Sequence, residues 1–310
     1  MKKALVTGGA GFIGSHLAKR LLKEKWQVDI VDNLSTGYKE NIPRGAVFTL
    51  LDLSKDQFAK KLPKKHFDAV FHLAAQSSGE ISFDDPEYDL KTNCLSTVAL
   101  LDWCLKKHIK RFIYTSSMSI YGDQKIQPVK EICRPLPKSF YGIGKLASEK
   151  YLEVYAKLGI RSTSLRLFNV YGPGQNMENL RQGMVSIYMA YILKNQPVTV
   201  KGSPKRYRDF VYVDDVVDAY MKCLNNPKTF GRIYNVAFGK KTTVKQLIDE
   251  ELKAFGHNPS KYPIQFRGST PGDTFGIYAD ISAIKKDTGW GPKVELKEGL
   301  ERMARWALSL

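Results

Sequence analysis

The sequence predicts an α/β protein, a doubly wound parallel sheet followed by a smaller mixed α/β C-terminal lobe. Three observations predict it. A short apolar run at residues 4–6 leads into Gly8, Gly11 and Gly14, then into an amphipathic helical pattern and a second apolar run closed by Asp32. Strand-like apolar runs alternate with helical patterns through the first half, and continuous apolar strands separated by helices imply a parallel sheet covered on both faces. After Tyr171-Gly172-Pro173-Gly174 the texture changes: helical patterns dominate, with short strand candidates and repeated Gly and Pro turns.

The elements follow in chain order. Strands are expected at 4–6, 28–31, 47–51, 69–74, 112–114 and 164–168. Helices are expected at 12–25, as one long element at 87–108, and at 141–158. In the second half, helices are expected at 183–193, 213–224, 244–255 and 281–288, with strands at 198–201 and 233–237. Residues 1–170 are therefore read as a cofactor domain and 171–310 as mainly a substrate lobe, some segments of which return to the main sheet.

Each part of the opening unit has a chemical task. Glycines let the chain turn sharply and let backbone approach a pyrophosphate; the helix N-terminus supplies unpaired N–H donors and a positive dipole end. Asp32 follows Gly14 at close to the ~20-residue spacing at which an acid accepts hydrogen bonds from an adenosine ribose. This is the fingerprint of a Rossmann-type dinucleotide site. Its carboxylate would repel a 2′-phosphate, and Asn33-Leu34-Ser35 offers no Arg to hold one. The expected cofactor is NAD rather than NADP.

Bulk composition narrows the classes. Of 310 residues, 43% are hydrophobic and 25% charged, ordinary for a globular enzyme. No apolar stretch approaches the ~18 residues of a membrane span. The opening apolar run breaks at Thr7-Gly8-Gly9, too soon for a signal core. Cys94, Cys104, Cys133 and Cys223 form no CxxC pair, so neither disulfides nor zinc are expected, no metal is assigned, and a cytoplasmic setting fits. The formal net charge is +17. Its lysines are scattered pairs without the interleaved aromatics of a single-strand platform, so no nucleic-acid partner is expected. The field still favours an anionic substrate.

The catalytic signal is Tyr141-Gly142-Ile143-Gly144-Lys145 at the start of a helix. The i, i+4 spacing puts both side chains on one face. A phenol titrates near ~10, too high for a base at neutral pH, and the lysine cation is expected to lower that value. Upstream, the strand ending in Thr115-Ser116-Ser117 offers Ser117 to hydrogen-bond the substrate hydroxyl.

With these residues in place the chain resembles the extended short-chain dehydrogenases/reductases of the nucleotide-sugar epimerase/dehydratase group, over almost its whole length. The segments that carry the likeness are TGGAGFIGSHL at 7–17, VDNLSTG at 31–37, HLAAQ at 72–76, Thr92-Asn93, TSSMSIYG at 115–122, YGIGK at 141–145, RLFNVYGPGQ at 166–175, RDFVYVDDV at 208–216 and PGD at 271–273. The nearest pattern is that of the UDP-glucose 4-epimerases.

The resemblance implies roles. Gly8, Gly11, Phe12, Ile13 and Gly14 would line the pyrophosphate turn. Asp32, Asn33, Ser35, Thr36 and Gly37 would hold the adenosine ribose, and Asp52 and Leu53 would flank the adenine. Leu73, Ala74, Ala75 and Asn93 would pass along the nicotinamide half. Ser117, Tyr141 and Lys145 would be catalytic, Lys145 also binding the nicotinamide ribose. Ser117, Tyr141, Asn169, Arg208 and Asp273 would contact substrate, Arg208 as the diphosphate clamp. A homodimer through the helices at 87–108 and 141–158 is implied as well.

Departures refine the expected reaction. Dehydratases of the group carry an acidic pair, and UDP-glucuronate decarboxylases a Glu, just before the Tyr-Gly of the serine-strand segment. Here Met118-Ser119-Ile120 precede Tyr121-Gly122. That favours an NAD-dependent epimerase inverting carbon 4 of a nucleotide-diphosphate sugar, UDP-glucose/UDP-galactose or a related UDP-sugar, through a 4-keto intermediate. A net 4-ketoreductase or dehydrogenase would use the same residues; a catalytically idle NAD sensor or RNA-binding relative is the alternative of another class. Epimerases of the group also carry an arginine where this chain has Thr270; either Arg267, three residues earlier, reaches in from a shifted loop, or the diphosphate grip is weaker or different and the nucleotide need not be uridine.

Overall fold

The computed structural model describes residues 1–310. The chain opens with β1 (Lys3–Thr7), α1 (Phe12–Lys23), β2 (Gln27–Asp32), β3 (Val47–Leu50) and β4 (Ala69–His72). Then come α2 (Pro86–Leu90), a π-helical turn (Lys91–Leu95), α3 (Ser96–Lys106), β5 (Arg111–Ser117), α4 (Phe140–Lys157), β6 (Arg161–Leu167) and β7 (Asn169–Tyr171). The second half runs α5 (Met184–Leu193), β8 (Val198–Lys201), β9 (Tyr207–Arg208), β10 (Phe210–Tyr212), α6 (Val213–Leu224), β11 (Arg232–Val236) and β12 (Thr242–Thr243). It closes with α7 (Val244–Ala254), β13 (Ile264–Arg267), α8 (Ser282–Thr288) and α9 (Leu296–Ala307).

A seven-stranded sheet in the order β3-β2-β1-β4-β5-β6-β11 forms the centre, every neighbouring pair parallel. Its central strands β1, β2 and β4 carry mostly apolar, buried residues because both faces are covered there. One face packs α1 and α6 through Leu17, Leu21, Val216 and Tyr220; the other packs α3 and α4 through Leu100, Cys104 and Leu152. A separate core of α5, α7 and α9, with Val185, Met189, Leu252, Leu300 and Met303, holds the smaller lobe. The strand order reverses direction between β1 and β4. That crevice, at the carboxyl ends of the strands, is where ligands bind in open α/β sheets.

Two features go beyond the expectations. The long helix expected at 87–108 runs without a break from Pro86 to Lys106, with a π-helical turn at Lys91–Leu95 set between α2 and α3. Such turns cluster at functional sites, and this one carries Thr92 and Asn93. α9 was not anticipated, although Leu300, Met303, Ala304 and Ala307, all buried, recur at helical spacing. α6 and β11 come from the second half of the chain yet lie in the main sheet layers.

Candidate active site

The site is built on the loops that leave β1, β2, β4 and β5. Gly8 turns the chain with φ +72°, and a Cβ there would come within 2.6 Å of Ala74 N. A Cβ on Gly14 would stand 2.1 Å from the Gly8 carbonyl oxygen, so α1 starts directly against the turn. Gly11 is the N-cap of α1, no side chain caps it and no acid occupies the first turn. The first-turn N–H groups are therefore left for an anion. Asp32 anchors the turn: Oδ2 accepts from Ala10 N at 2.9 Å and Oδ1 from Leu34 N at 2.8 Å. Asp52 is fixed likewise by Ser54, whose N–H and hydroxyl donate to Oδ1 at 2.9 and 2.7 Å. A cradle that any side chain would fill, an uncapped helix start and a rigid acid at the ribose position together fit NAD.

A cleft of about 370 Å³ runs from there to the end of β5. Gly8, Gly11, Phe12, Ile13, Gly14, Asp32, Asn33, Ser35, Thr36, Asp52, Leu53, Leu73, Ala74 and Ala75 line it, as do Ser117, Tyr141, Lys145 and Asn169. Gly37 and Asn93 do not. Gly37 packs under the glycine turn, where a Cβ would meet the Ala10 carbonyl at 2.7 Å. Asn93 is buried behind the wall, donating to Gln76 O and Asp89 Oδ1, both at 2.9 Å.

Ser117 ends β5 and caps the turn beyond it, its Oγ accepting from Ser119 N at 3.1 Å. Tyr141 and Lys145 stand on α4, whose start is capped by Ser139 Oγ accepting from Gly142 N at 3.2 Å. Both glycines of the YGIGK segment are close approaches. A Cβ on Gly142 would meet Ser119 O at 2.6 Å, and one on Gly144 would meet Asn93 Cβ at 3.2 Å. Lys145 Nζ donates to Thr115 O at 2.8 Å and lies 5.8 Å from the Tyr141 ring centroid.

Burial dominates the titration of this pair and corrects the expectation of a lowered phenol. It pushes Tyr141 up to about 12; the Ser117 hydroxyl favours the phenolate and Asp89 opposes it. It pushes Lys145 down to about 7, with Asp89 and then Glu149 restoring the cation. Sealing both groups from water penalises both charged forms.

Sequence reasoning missed the frame behind them. Glu149, one helical turn past Lys145, accepts from Ser116 Oγ at 2.5 Å and from Arg166 at 2.7 and 3.0 Å, wholly buried. Arg166 also donates to Tyr121 Oη at 2.8 Å. Asp89 accepts from Gln76 and Asn93, with its second oxygen unpartnered. The i+4 step from Lys145 to an acid was the available signal.

The substrate end differs from expectation. Asn169 donates to Asp209 O at 3.0 Å. Arg208 and Asp273 are off the cleft wall: Arg208 is 2% exposed and its guanidinium is paired with Asp273. Arg267 is exposed on β13 and reaches Thr199 Oγ1 at 3.2 Å. The only carboxylates on the cleft wall are Asp32 and Asp52, both at the ribose end, and the only cation is Lys145. Met118 and Ser119 stand beside Ser117 where an acid would serve elimination.

The model of the NAD dependent epimerase/dehydratase family matches residues 4–237. A UDP-glucose 4-epimerase of Mycolicibacterium smegmatis is 33% identical over 97% of this chain and 96% of its own. UDP-glucuronic acid decarboxylase 6 of Arabidopsis thaliana is also 33% identical, over 97% of this chain and 87% of its own. The crystal structure of the Thermotoga maritima UDP-glucose 4-epimerase with UDP-glucose superposes with a TM-score of 0.94 at 36% identity, covering 99% of each chain.

Proposed function

The chain belongs to the NAD-dependent epimerase/dehydratase family, and from that premise we propose that it inverts carbon 4 of a UDP-hexose of the UDP-glucose/UDP-galactose type. The observation that carries this reading is the absence of any carboxylate on the cleft wall near Tyr141. Elimination and decarboxylation need a further acid or base beyond the hydride step; epimerisation needs one proton shuttle only. A uronate would bring a second negative charge into a cleft whose one cation is Lys145. A net reductase would use the same residues, and no feature of the cleft favours it.

Gly8, Gly11 and the first turn of α1 would hold the pyrophosphate, Asp32 the adenosine ribose and Lys145 the nicotinamide ribose. Bound NAD supplies the hydride acceptor and donor at carbon 4, and its cationic ring offsets the burial penalty on the phenolate. Ser117 orients the 4-hydroxyl. Tyr141 Oη takes its proton and returns it after the sugar ring has turned over. Lys145, fixed to Thr115 O, keeps a positive charge beside the phenol. The anchored diphosphate keeps the 4-keto sugar in place while the ring rotates. The division into a cofactor half, residues 1–170, and a substrate half, residues 171–310, is part of the same proposal.

The test is incubation of purified enzyme with UDP-, GDP-, CDP- and dTDP-sugars, with products identified by NMR. Carbon-4 epimers of UDP-hexoses are expected, without added cofactor. A product that has lost water or carbon dioxide would contradict the reading.

A further inference from the structure

The π-helical turn and the second glycine of the YGIGK segment have no part in the proton steps above, yet they meet at one buried carboxylate. Asp89 stands in the last turn of α2 and is 1% exposed. Its Oδ1 accepts twice, from Gln76 Nε2 at 2.8 Å and from Asn93 Nδ2 at 2.9 Å. Those donors are themselves fixed. Gln76 Nε2 also donates to Ser78 O at 2.8 Å, and Gln76 Oε1 accepts from Ser78 N at 2.6 Å. Asn93 Nδ2 also donates to Gln76 O at 2.9 Å. The carboxylate is thus held in one orientation, and its Oδ2 is left with no hydrogen-bond partner. That oxygen lies against α4 at Gly144, where a Cβ would stand 3.6 Å from it and 3.2 Å from Asn93 Cβ. Glycine at this position lets the catalytic helix sit down on the carboxylate, one residue before Lys145.

Charge counting gives this oxygen a task. Lys145 is 2% exposed, and its Nζ donates only to Thr115 O. A buried cation is costly unless a counter-charge faces it. On the β4 side, His72 is buried and pushed down to about 3, by burial and then by Lys145, so it is neutral at physiological pH. On the β5 side, the Tyr114 ring centroid is 4.9 Å from Nζ, and burial raises that phenol well above its usual range. On α4 itself, burial pushes Tyr141 up to about 12, and Glu149 is already paired with Arg166 through two hydrogen bonds. The Asp89 carboxylate, from α2, has no cation of its own. Burial pushes its carboxyl up; the hydrogen bonds from Asn93 and Gln76, and then the Lys145 charge, favour the ionised form. Burial likewise pushes Lys145 down to about 7, and Asp89 is the first influence to oppose it.

We infer that Asp89 is a positioning residue for the catalytic pair: clamped by Gln76 and Asn93, it supplies the counter-charge that keeps Lys145 a cation beside Tyr141. It stands behind the cleft wall and acts only through the lysine. The inference rests on the proton-shuttle reading of Tyr141 and Lys145 given above. The same carboxylate disfavours the Tyr141 phenolate, so turnover mixes two opposed effects and the lysine has to be read directly.

The test is an NMR titration of NAD-loaded enzyme labelled with carbon-13 at lysine Cε, the Lys145 signal being assigned by its loss in Lys145→Met. Asp89→Asn keeps the volume and an acceptor for both clamp donors, and removes the charge. Its Lys145 midpoint is expected about 1–3 pH units below that of the wild type, the range set by one facing charge. A side chain with a structural role alone would leave the midpoint in place. If Asp89→Asn does not fold, Gln76→Leu, which removes one of the two donors to the carboxylate, is expected to move the midpoint in the same direction by less. An unchanged midpoint in the folded, NAD-loaded variant overturns the inference. The titration uses no sugar, so it decides the inference separately from the sugar panel that decides the proposed function.

Discussion

The two ends of the cleft are made of different material. At the cofactor end the geometry is backbone geometry: Gly8, Gly14 and Gly37 sit where a Cβ would strike main-chain atoms at 2.1–2.7 Å, and Asp32 is held by two backbone N–H groups. At the substrate end it is side-chain geometry. Behind the cleft wall Arg206 and Arg208 both pair with Asp273, and Glu80 pairs with Lys201 Nζ at 2.8 Å and Arg181 Nε at 3.3 Å. A backbone cradle tolerates almost no substitution; a side-chain clamp can be rebuilt by moving one charge.

Between the two ends lies the proposed catalytic set, so the largest expected effect lies there. Tyr141→Phe removes the proton acceptor and keeps the ring. Turnover should fall by about 10²- to 10⁴-fold while NAD binding, measured by calorimetry, persists. Lys145→Met should slow turnover too. With the neighbouring cation gone, the phenol ionisation that limits the acid side of its pH–rate profile should move upward. A Tyr141→Phe enzyme with near-normal rates would break the comparison at its centre.

Next comes the buried pair that frames the catalytic helix. Glu149→Gln leaves Arg166, whose side chain is 4% exposed, without its partner charge. Breaking such a pair costs about 3–5 kcal/mol, to be read from urea unfolding. A loss below ~1 kcal/mol, the range of an exposed pair, would show that the frame is not built as described.

At the cofactor end, Asp32→Ala should relax the preference for NAD over NADP by about tenfold, the order of one like-charge contact at partial exposure. Equal affinity for both cofactors in the wild type, measured by calorimetry, would remove Asp32 as the selector.

The mildest effect sharpens the comparison by lying outside both ends. Leu95, Ile143, Val154 and Leu158 remain 51–59% exposed on the π-turn and α4. We propose that these helices pack against a second copy. Val154→Glu should shift the light-scattering mass from dimer to monomer with turnover little altered. A wild-type monomer at micromolar concentration would refute the dimer.

Legibility in the sequence follows the same division. The glycine triplet, Asp32 and Tyr141/Lys145 were readable because sharp turns, close approaches and a shared helix face each demand a residue type at a fixed spacing. The pairing of Arg208 with Asp273 was not, since 65 positions separate them and only tertiary folding brings them together. The rise of the Tyr141 pKa was missed for a related reason: local spacing reports the neighbouring lysine and says nothing of complete burial. The π-helical turn escaped because the apolar periodicity runs through it without a Gly or Pro to mark it. Asn93, assigned to the cofactor from resemblance, lies one layer behind because that turn carries it inward.

The central claim is that hydride leaves and returns to the same carbon while Tyr141 handles one proton. The most direct measurement is NMR of the enzyme turning over UDP-galactose deuterated at carbon 4, with no cofactor added. The account predicts UDP-glucose that keeps the label at carbon 4 and none in solvent. Label washed into water, or accumulation of an oxidised or reduced sugar in step with consumption of cofactor, would contradict it.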